Sequence, residues 1–365
     1  MFRTPFHAFH RQLGAKMVDF SGWEMPLLYE GIIPEHRQVR QAVGVFDVSH
    51  MGEFRIRGAG AEAFLERMVT NRVSGMADGQ ALYTALCYEH GGTVDDLILY
   101  RQGAGDYLMV VNASNIEKDF SWLKDHLADG TWADVELKDI SQETALLAVQ
   151  GPRAPELVGR LAGTPVDDIA YYHFRRGRLG GAEALIARLG YTGEDGYELM
   201  FPAAAAGEVW ERMQATGSDL GLRPVGLGAR DTLRFEAGFC LYGHELTENV
   251  TPLEAGIGFA VKLDKGDFVG GEALRRLKAA GPPRQLVGVA MEGSRIPRQG
   301  CAVRRDGDPI GEVTSGMYSP TLEGAYALAL VSRGATRPAD RIEVTIRDQG
   351  FPARIVDKPF YRRQR

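Results

Sequence analysis

The apolar positions in the first two thirds of the chain form two similar units, each a short strand, a glycine turn and an amphipathic helix. The units are EFRIRGAGAEAFLERM (residues 53–68) and TALLAVQGPRAPELVGRL (residues 144–161). Two strand-like runs follow each unit, around the turn RQGAGD in residues 91–114 and around GYTGEDG in residues 180–202. Apolar runs joined by a glycine-containing turn are typical of a β-hairpin. The pattern therefore predicts two related α+β units with antiparallel sheets; chance similarity of two strand-turn-helix units is the alternative.

A helical pattern follows each predicted hairpin, in residues 114–127 and again in residues 203–216. Ser114 and Glu117 have the S-x-x-E spacing of a capping box, which predicts that the first of these helices begins at Ser114. Strands that alternate with helices also occur in parallel, doubly wound sheets. Here the strands come in hairpins, which favours the antiparallel arrangement.

The pattern changes after about residue 280. AAGPPRQ (residues 279–285) is typical of a linker. Beyond it lie short β-rich runs such as LVGVAME, IGEVTSG, AYALALVS and RIEVTIR, which are separated by turns. This spacing predicts a small all-β barrel or sandwich.

Composition limits the possible classes of protein. A chain of 365 residues suggests two or three domains, and its 44% apolar and 25% charged residues are ordinary for a globular protein. The net charge of −6 argues against bulk attraction to nucleic acid or to an anionic membrane. No apolar run reaches the roughly 18 residues that span a bilayer. The 3 cysteines are scattered, which indicates a reducing compartment rather than a disulfide framework.

Several polar residues lie where a strand pattern does not favour them. Asp95 and Asp96 interrupt GGTVDDLILY, and because successive strand residues point to opposite faces, one of the two faces whatever the sheet covers. Glu194 and Glu198 lie in GEDGYELM, and Arg230 precedes an apolar stretch. For any one of them, a solvent-facing carboxylate or a structural ion pair is the simpler interpretation. Together they favour a shared pocket, without identifying its ligand.

Longer motifs carry a family resemblance. In order along the chain they include GAKMVDFSGWEMPL, GVFDVSHMGE, GGTVDDLILY, GYTGEDGYE, GLGARDTLRFEAGFCLYGHEL, GEVTSGMYSPTL and KPFYR. Nearly end to end, the chain resembles the folate-dependent family that contains the aminomethyltransferase, or T protein, of the glycine cleavage system. The resemblance implies three domains arranged like a cloverleaf around a central tetrahydrofolate site. Its implied parts are a folate-binding region (1–278), made of two interleaved α+β units (about 1–52 with 140–278, and 53–139), and a C-terminal β domain (284–365).

The resemblance also implies a reaction. The one-carbon unit on the aminomethyl-dihydrolipoyl arm of a carrier, the lipoylated H protein, is transferred to tetrahydrofolate as co-substrate. The products are 5,10-methylenetetrahydrofolate, ammonia and the reduced carrier, with no metal required. We expect a cytoplasmic protein, or a mitochondrial matrix protein in a eukaryote. Family carriers are acidic, so RRGR (175–178) and YRRQR (361–365) are possible contacts, although a solvated surface is the simpler interpretation.

Two carboxylates have the principal roles in the implied site. Asp96 matches the critical aspartate of the family, and a carboxylate beside folate N5 and N10 can accept a proton and stabilise positive charge on the migrating carbon. Asp95 is then expected on the opposite face, as a solvated strand carboxylate or as a hydrogen-bonding partner within the hairpin. Glu198 matches the pterin-binding glutamate, because one carboxylate can accept both N–H donors of the 2-amino-4-oxo edge. Glu194 is the second candidate for this role.

The resemblance assigns further residues to the site. Arg230 matches a functional arginine that either holds the pocket carboxylates or meets the glutamyl tail of folate. The other matches are aromatic rings that pack on the pterin, a strand end that presents backbone and amide groups, and a tail that closes over the site: Tyr83, Tyr171 and Tyr191; Val111 and Asn112; Tyr361 and Arg362. Each tyrosine could instead serve ordinary packing, and Tyr191 is the strongest of the three.

Two alternative functions share the same scaffold. One is a tetrahydrofolate-dependent demethylase of a small methylated compound, such as dimethylsulfoniopropionate, which needs no carrier protein. The other is a non-catalytic folate-binding protein. Relatives of that kind carry the motif K-G-C-Y-x-G-Q-E, whereas this chain has LGYTGEDGYE without the cysteine.

Overall fold

The computed structural model describes residues 1–128 and 130–363. The α-helices, in chain order, are α1 (His7–Gln12), α2 (Ile32–Gln41), α3 (Ala61–Met68), α4 (Ile116–Leu127), α5 (Ala154–Ala162), α6 (Ala206–Gly217), α7 (Leu227–Glu236) and α8 (Gly271–Ala280). The strands are β1 (Lys16–Phe20), β2 (Trp23–Leu28), β3 (Gly44–Asp47), β4 (Gly52–Arg57), β5 (Ala81–Cys87), β6 (Thr93–Gly103), β7 (Asp106–Val111), β8 (Glu136–Asp139), β9 (Thr144–Gln150), β10 (His173–Leu179), β11 (Ala182–Arg188), β12 (Gly196–Pro202), β13 (Arg223–Pro224), β14 (Arg284–Met291), β15 (Ala302–Arg305), β16 (Asp308–Ser319), β17 (Gly324–Ser332), β18 (Arg341–Ile346) and β19 (Gln349–Val356). Short 3-10 helices cover Ala113–Asn115, Ser141–Glu143, Ala203–Ala205, Ser218–Leu220 and Gly258–Ala260.

The strands form four sheets. β1 and β2 make a two-stranded sheet, and larger sheets have the orders β10-β11-β12-β9-β3-β13 and β5-β6-β7-β4-β8. The C-terminal strands close into a barrel with the order β14-β17-β16-β15-β18-β19. Pairing is antiparallel in the barrel and in the six-stranded sheet, except for the short parallel pair β3–β13. The predicted α+β class and antiparallel sheets are confirmed, and the C-terminal β domain, predicted as a barrel or a sandwich, is a closed barrel.

The repeated units predicted from the pattern are present. β4 leads into α3, and β9 leads into α5. The hairpins are β6–β7 and β11–β12, and α4 and α6 follow them. The prediction of a capping box at Ser114 is wrong. Helix α4 begins at Ile116, its N-cap is Asn115, and no side-chain hydrogen bond caps it. The chain first forms a 3-10 turn over Ala113–Asn115, in which the Ser114 hydroxyl donates to Asn115 Oδ1 at 3.4 Å.

The chain divides into two compact units, each assembled from separate segments. The first unit contains Met1–Phe64, Val73–Leu82 and Leu97–Leu233, and the second contains Leu65–Arg72, Tyr83–Asp96 and Arg234–Arg365. The boundary between the two units falls once within β5 and once within β6. The three-domain boundaries expected from the resemblance stay a prediction.

In the first unit, β9 is buried on both faces. Ala145, Leu147 and Val149 belong to a core shared with α5 and α6, whereas Leu146 and Ala148 belong to a core shared with residues of β6 and β7. This explains the continuous apolar run TALLAV, because a strand covered on both sides does not alternate with polar residues. The side of the six-stranded sheet that faces β6 and β7 also carries the candidate site of this unit.

In the second unit, a buried ion pair joins the last turn of α7 to the segment after it, and hydrogen bonds from both partners reach the barrel strand β16. Arg234 and Glu245 side chains are 1% and 0% exposed, and their N–O distance is 2.8 Å. The Arg234 guanidinium also donates to Ser315 Oγ at 3.0 Å, and Glu245 accepts from the Thr314 hydroxyl at 2.6 Å and from Leu241 N at 3.0 Å. Burial raises the pKa of Glu245, but Arg234 and these hydrogen bonds lower it more, so its pKa lies below its ordinary value.

Lys265 caps the C-terminal end of α3. Its side chain is 0% exposed, and Nζ donates to the carbonyl oxygens of Glu66, Val69 and Asn71 at 2.5, 2.6 and 2.8 Å. Carbonyl groups in and after the last turn of a helix have no partner within the helix. Lys265 therefore satisfies acceptors that would otherwise be buried without a donor.

We expect Lys265→Met to lower the free energy of unfolding by about 2–4 kcal/mol, because it leaves these buried acceptors without a donor. Urea denaturation measures the loss. Lys262→Met is the matched control: Lys262 is exposed, its backbone N–H donates to Thr70 O, and its replacement is expected to change stability by less than about 0.5 kcal/mol. Equal effects of the two variants would contradict the capping role.

Candidate active site

A buried glutamine shapes the loop that carries Tyr191. Gln150, at the end of β9, accepts a hydrogen bond from the Thr192 hydroxyl at 2.9 Å. A Cβ atom at Gly190 would lie 2.0 Å from the Gln150 amide, and one at Gly196 would lie 2.4 Å from it. Only glycine fits at both positions, so the loop GYTGEDG wraps closely around this amide. Close packing against Gln150 therefore explains the glycines at positions 190 and 196 of this predicted turn.

Arg230, Tyr191 and Glu198 are placed near one another in the first unit. The Arg230 guanidinium, on α7, lies over the Tyr191 ring with 4.7 Å to the centroid. Glu198, on β12, accepts a hydrogen bond from the Tyr100 hydroxyl at 3.2 Å. Burial raises the pKa of Glu198 above its ordinary value, although Arg230 and the Tyr100 hydrogen bond lower it in part. A carboxyl group of this kind can accept paired N–H donors from a ligand.

Glu194 lies in a different environment. Its carboxylate pairs with the Arg40 guanidinium at 2.9 Å, and the two side chains are 2% and 8% exposed. Arg40 also donates to the carbonyl oxygen of Thr192 at 2.7 Å. Glu194 is thus already engaged in an ion pair that holds the loop to α2, and Glu198 is the better candidate for ligand binding.

Three residues beside this cluster were not selected from the sequence. Tyr100 and His50 are buried. The pKa of His50 is lowered to about 4, chiefly by burial; Asp47 opposes this shift and Arg230 contributes to it. Tyr172 has φ 60° and is one of the groups that raise the pKa of Tyr100. A left-handed backbone is rare for a bulky residue and often accompanies a functional site. The strain at Tyr172 is not visible in the sequence.

Tyr171, which the sequence selected, is 58% exposed, and its ring contacts Tyr172 edge-on at 4.7 Å between centroids. The structure thus places Tyr172, rather than its neighbour, in the core that contains Tyr100. The role predicted for Tyr171 stays a prediction. The adjacent pair YYH in the sequence does not reveal which ring turns inward.

Asp96 lies in the second unit with its own aromatic neighbours. The Tyr83 hydroxyl donates to Asp96 Oδ2 at 2.9 Å. The Tyr83 ring stacks on Phe259, with 5.8 Å between centroids and 23° between planes, and Phe259 is 65% exposed. Cys240 is buried, and Asp96 is among the carboxylates that raise its pKa, after burial and Glu245. Asp96 is therefore a half-buried carboxylate held by Tyr83, whose ring stacks on an exposed phenylalanine.

The prediction for Asp95 as a solvated carboxylate is wrong. Asp95 is 0% exposed, and of the two aspartates Asp96 is the partly exposed one. Thr93, two residues earlier on the same strand face, donates to the carbonyl oxygen of Val250 at 2.8 Å. The chain around Val250 therefore covers that face of β6, which the local pattern could not show.

The remaining predicted site residues have various environments. Val111 is buried at the end of β7, and Asn112 precedes the 3-10 turn, accepting from Asn115 N at 2.9 Å. Tyr361 donates its backbone N–H to the carbonyl oxygen of Glu236 at 2.8 Å, whereas Arg362 is exposed. The last residues of the basic run 361–365, at 364 and 365, lie outside the described residues.

The other basic run lies on β10. Arg175 pairs with Asp168 at 3.0 Å, and Arg176 donates to the side chain of Gln102. Arg178 donates to the carbonyl oxygen of Gly181 at 2.5 Å. These contacts agree with a solvated surface, and a role in carrier binding stays a prediction.

Within residues 1–128 and 130–363, no group of three or more His, Cys, Asp or Glu side chains is placed to hold a metal ion. No helix among the same residues combines the length and apolar character needed to cross a bilayer.

Comparison with family models decides the relationship. The GCVT N-terminal domain matches residues 6–265, and the glycine cleavage T-protein C-terminal barrel domain matches residues 284–362. The chain belongs to the glycine cleavage T-protein family. The T-protein family assignment agrees with the closed barrel and with the order of the motifs that carried the resemblance.

Individual members of the T-protein family match this chain over nearly their whole length. A protein of Desulforamulus reducens named aminomethyltransferase is 48% identical over 362 residues, covering 99% of this chain and 98% of the relative. One of Geobacillus kaustophilus with the same name is 48% identical over 363 residues, covering 99% of each chain. The crystal structure of glycine cleavage system aminomethyltransferase T from Bartonella henselae has a TM-score of 0.91 and 31% identity, covering 99% of this chain and 98% of that one. The predicted family and the predicted class of enzyme are confirmed.

Proposed function

We propose that this protein is the aminomethyltransferase of a glycine cleavage system. It transfers the one-carbon unit of an aminomethyl-dihydrolipoyl arm, carried by a lipoylated H protein, to tetrahydrofolate. The products are 5,10-methylenetetrahydrofolate, ammonia and the reduced carrier. We place the reaction in the cytoplasm, in agreement with the free cysteines Cys87, Cys240 and Cys301.

The observation that carries this proposal is the environment of Asp96. A half-buried carboxylate that accepts a hydrogen bond from Tyr83 has a fixed orientation, and the exposed Phe259 ring that stacks on Tyr83 offers an apolar surface to a flat ligand. Full-length identity to proteins named aminomethyltransferase supports this function over a demethylase on the same scaffold. The missing cysteine of the K-G-C-Y-x-G-Q-E motif also disfavours a non-catalytic folate-binding protein.

Each of the two carboxylates has a proposed task. Glu198 accepts the N–H donors of the pterin edge, while Arg230 favours its ionised form and Tyr191 offers a ring face. Tetrahydrofolate supplies the nucleophilic nitrogen that takes the carbon, while the thiol and ammonia leave. Asp96 accepts the proton released from that nitrogen and stabilises positive charge on the carbon during transfer. Tyr83 holds Asp96 in position for this step.

A direct assay tests the function. Purified protein is incubated anaerobically with tetrahydrofolate and an aminomethylated lipoyl carrier, and 5,10-methylenetetrahydrofolate and ammonia are measured. We expect both products in equal amounts, and neither with unmodified carrier. A parallel reaction with dimethylsulfoniopropionate in place of the carrier tests the demethylase. Folate methylation from that compound, with no product from the carrier, would contradict the proposal.

Glu198→Gln is expected to weaken tetrahydrofolate binding about 10–100-fold, because the amide loses the charge that strengthens both hydrogen bonds. The affinity of the unchanged protein should fall as the pH is lowered. This loss begins at a higher pH than for an ordinary glutamate of pKa 4.5, since the pKa of Glu198 is raised. Titration calorimetry over a pH series measures both effects. The same acid-side loss in Glu198→Gln would assign it to another group.

A further inference from the structure

Glu53 is a buried carboxyl group without a hydrogen-bond partner. It lies on β4 and is 0% exposed, and neither of its carboxyl oxygens has a partner among the described residues. Its backbone is satisfied, because Glu53 N donates to Ser141 Oγ at 2.9 Å and Glu53 O accepts from Ile140 N at 2.9 Å. Leaving a buried carboxyl unsatisfied costs free energy, so such a group calls for a physical reason.

Strand register places Glu53 toward the candidate site of the first unit. Glu53 pairs with Val110 on β7, and Val110 belongs to the buried core that also contains Tyr100. Because directly paired residues of antiparallel strands project to the same face of the sheet, the Glu53 side chain lies on the face that carries Val110. Two carboxylates, Asp139 at the end of β8 and Glu198 on β12, raise the pKa of Glu53 by charge repulsion. Glu53 in turn raises the pKa of Tyr100.

Glu53 and Glu198 have different charge partners. Burial raises the pKa of Glu53 well above its ordinary value, and Asp139 and Glu198 raise it further. Glu198 has Arg230 and the Tyr100 hydroxyl to favour its ionised form. When two carboxyl groups interact, the one without a cation keeps the proton. Glu53 is therefore the neutral acid of the pair, with one O–H donor and one carbonyl acceptor to offer.

We propose that the Glu53 carboxyl is a further ligand-binding group of this site and hydrogen-bonds to the bound pterin next to Glu198. A reduced pterin carries both N–H donors and ring or carbonyl acceptors on its edge. A carboxylate such as Glu198 can only accept hydrogen bonds, whereas a neutral carboxyl also donates one. Glu53 thereby complements Glu198 by contacting an acceptor atom that Glu198 cannot bind. This inference rests on the proposed folate-dependent function.

The test compares two replacements of Glu53 by calorimetric titration with 5-formyltetrahydrofolate, a stable reduced folate. Glu53→Met, which removes both polar atoms, is expected to raise the Kd about tenfold, the equivalent of one hydrogen bond. Glu53→Gln keeps a donor and an acceptor and is expected to bind within about twofold of the unchanged protein. Glu136→Gln on β8, an exposed carboxylate, is the control and should leave the Kd unchanged.

Thermal unfolding and steady-state kinetics separate ligand binding from a structural role. Without ligand, Glu53→Met is expected to unfold at the same or a higher temperature, because an unsatisfied carboxyl has been removed. Its KM for tetrahydrofolate should rise about tenfold while kcat stays nearly unchanged. A stable Glu53→Met protein with an unchanged Kd would overturn the inference and leave the proposed function intact. Failure of the unchanged protein to bind folate would instead overturn the proposed function.

Discussion

Asp96→Asn is expected to lower turnover with aminomethylated carrier and tetrahydrofolate by about 10²–10⁴-fold. The amide has nearly the shape of the carboxylate and can still accept from the Tyr83 hydroxyl. It has neither the basicity to accept a proton nor the charge to stabilise a cation, and these are the contributions that general-base and electrostatic catalysis make. Folate binding should change little, because the pterin edge is assigned to Glu198.

Single-turnover rates and folate affinities of Asp96→Asn and Tyr83→Phe measure this separation. Tyr83→Phe keeps the ring that stacks on Phe259 but removes the hydrogen bond to Asp96, so a smaller loss of rate is expected. Unchanged turnover in Asp96→Asn, with folate still bound, would show that Asp96 has no catalytic role. A loss of folate affinity as large as the loss of rate would show that Asp96 binds folate and does not act on the reacting carbon.

Arg234→Met is expected to lower the free energy of unfolding by about 3–5 kcal/mol. The change leaves the buried Glu245 carboxylate without its cation and removes the donor to Ser315 Oγ on the barrel strand β16. Breaking a buried pair on one side costs more than replacing both partners, because the remaining charge stays out of water. Denaturant unfolding at neutral pH measures the loss.

The double variant Arg234→Met/Glu245→Met tests the cause of that loss. It is expected to recover part of the lost stability, because no unpaired charge remains buried. Arg341→Met, an exposed arginine on β18, is the matched control and should change stability by less than about 0.5 kcal/mol. If the double variant is as unstable as the sum of the single ones, the ion pair does not explain the effect.

The sequence predicted the fold through patterns that depend only on local spacing. The hairpins β6–β7 and β11–β12 follow from apolar runs and glycine turns, because register and turn geometry are local. The C-terminal runs predicted a barrel or a sandwich, and the closure that distinguishes the two depends on the long-range pairs β14–β19 and β15–β18. The start of α4 was missed because the 3-10 turn at Ala113–Asn115 competes with a capping box over the same residues. The division of the chain within β5 and β6 depends on long-range packing that spacing does not encode.

The candidate site was less predictable. The family motifs pointed to Asp96 and Glu198. The burial of Asp95, however, depends on the chain around Val250, which lies 155 residues later in the sequence. Tyr100 and Glu53 looked like ordinary members of strands. Their proximity to Glu198 comes from the pairing of distant strands and from the packing of two sheets. No local pattern carries that information.

A crystal structure of the protein with tetrahydrofolate tests the central claim most directly. The account predicts a carboxylate oxygen of Asp96 within about 3 Å of folate N5 or N10, or joined to one of them through a single water. A well-ordered folate whose N5 and N10 atoms both lie beyond the reach of Asp96 would contradict it.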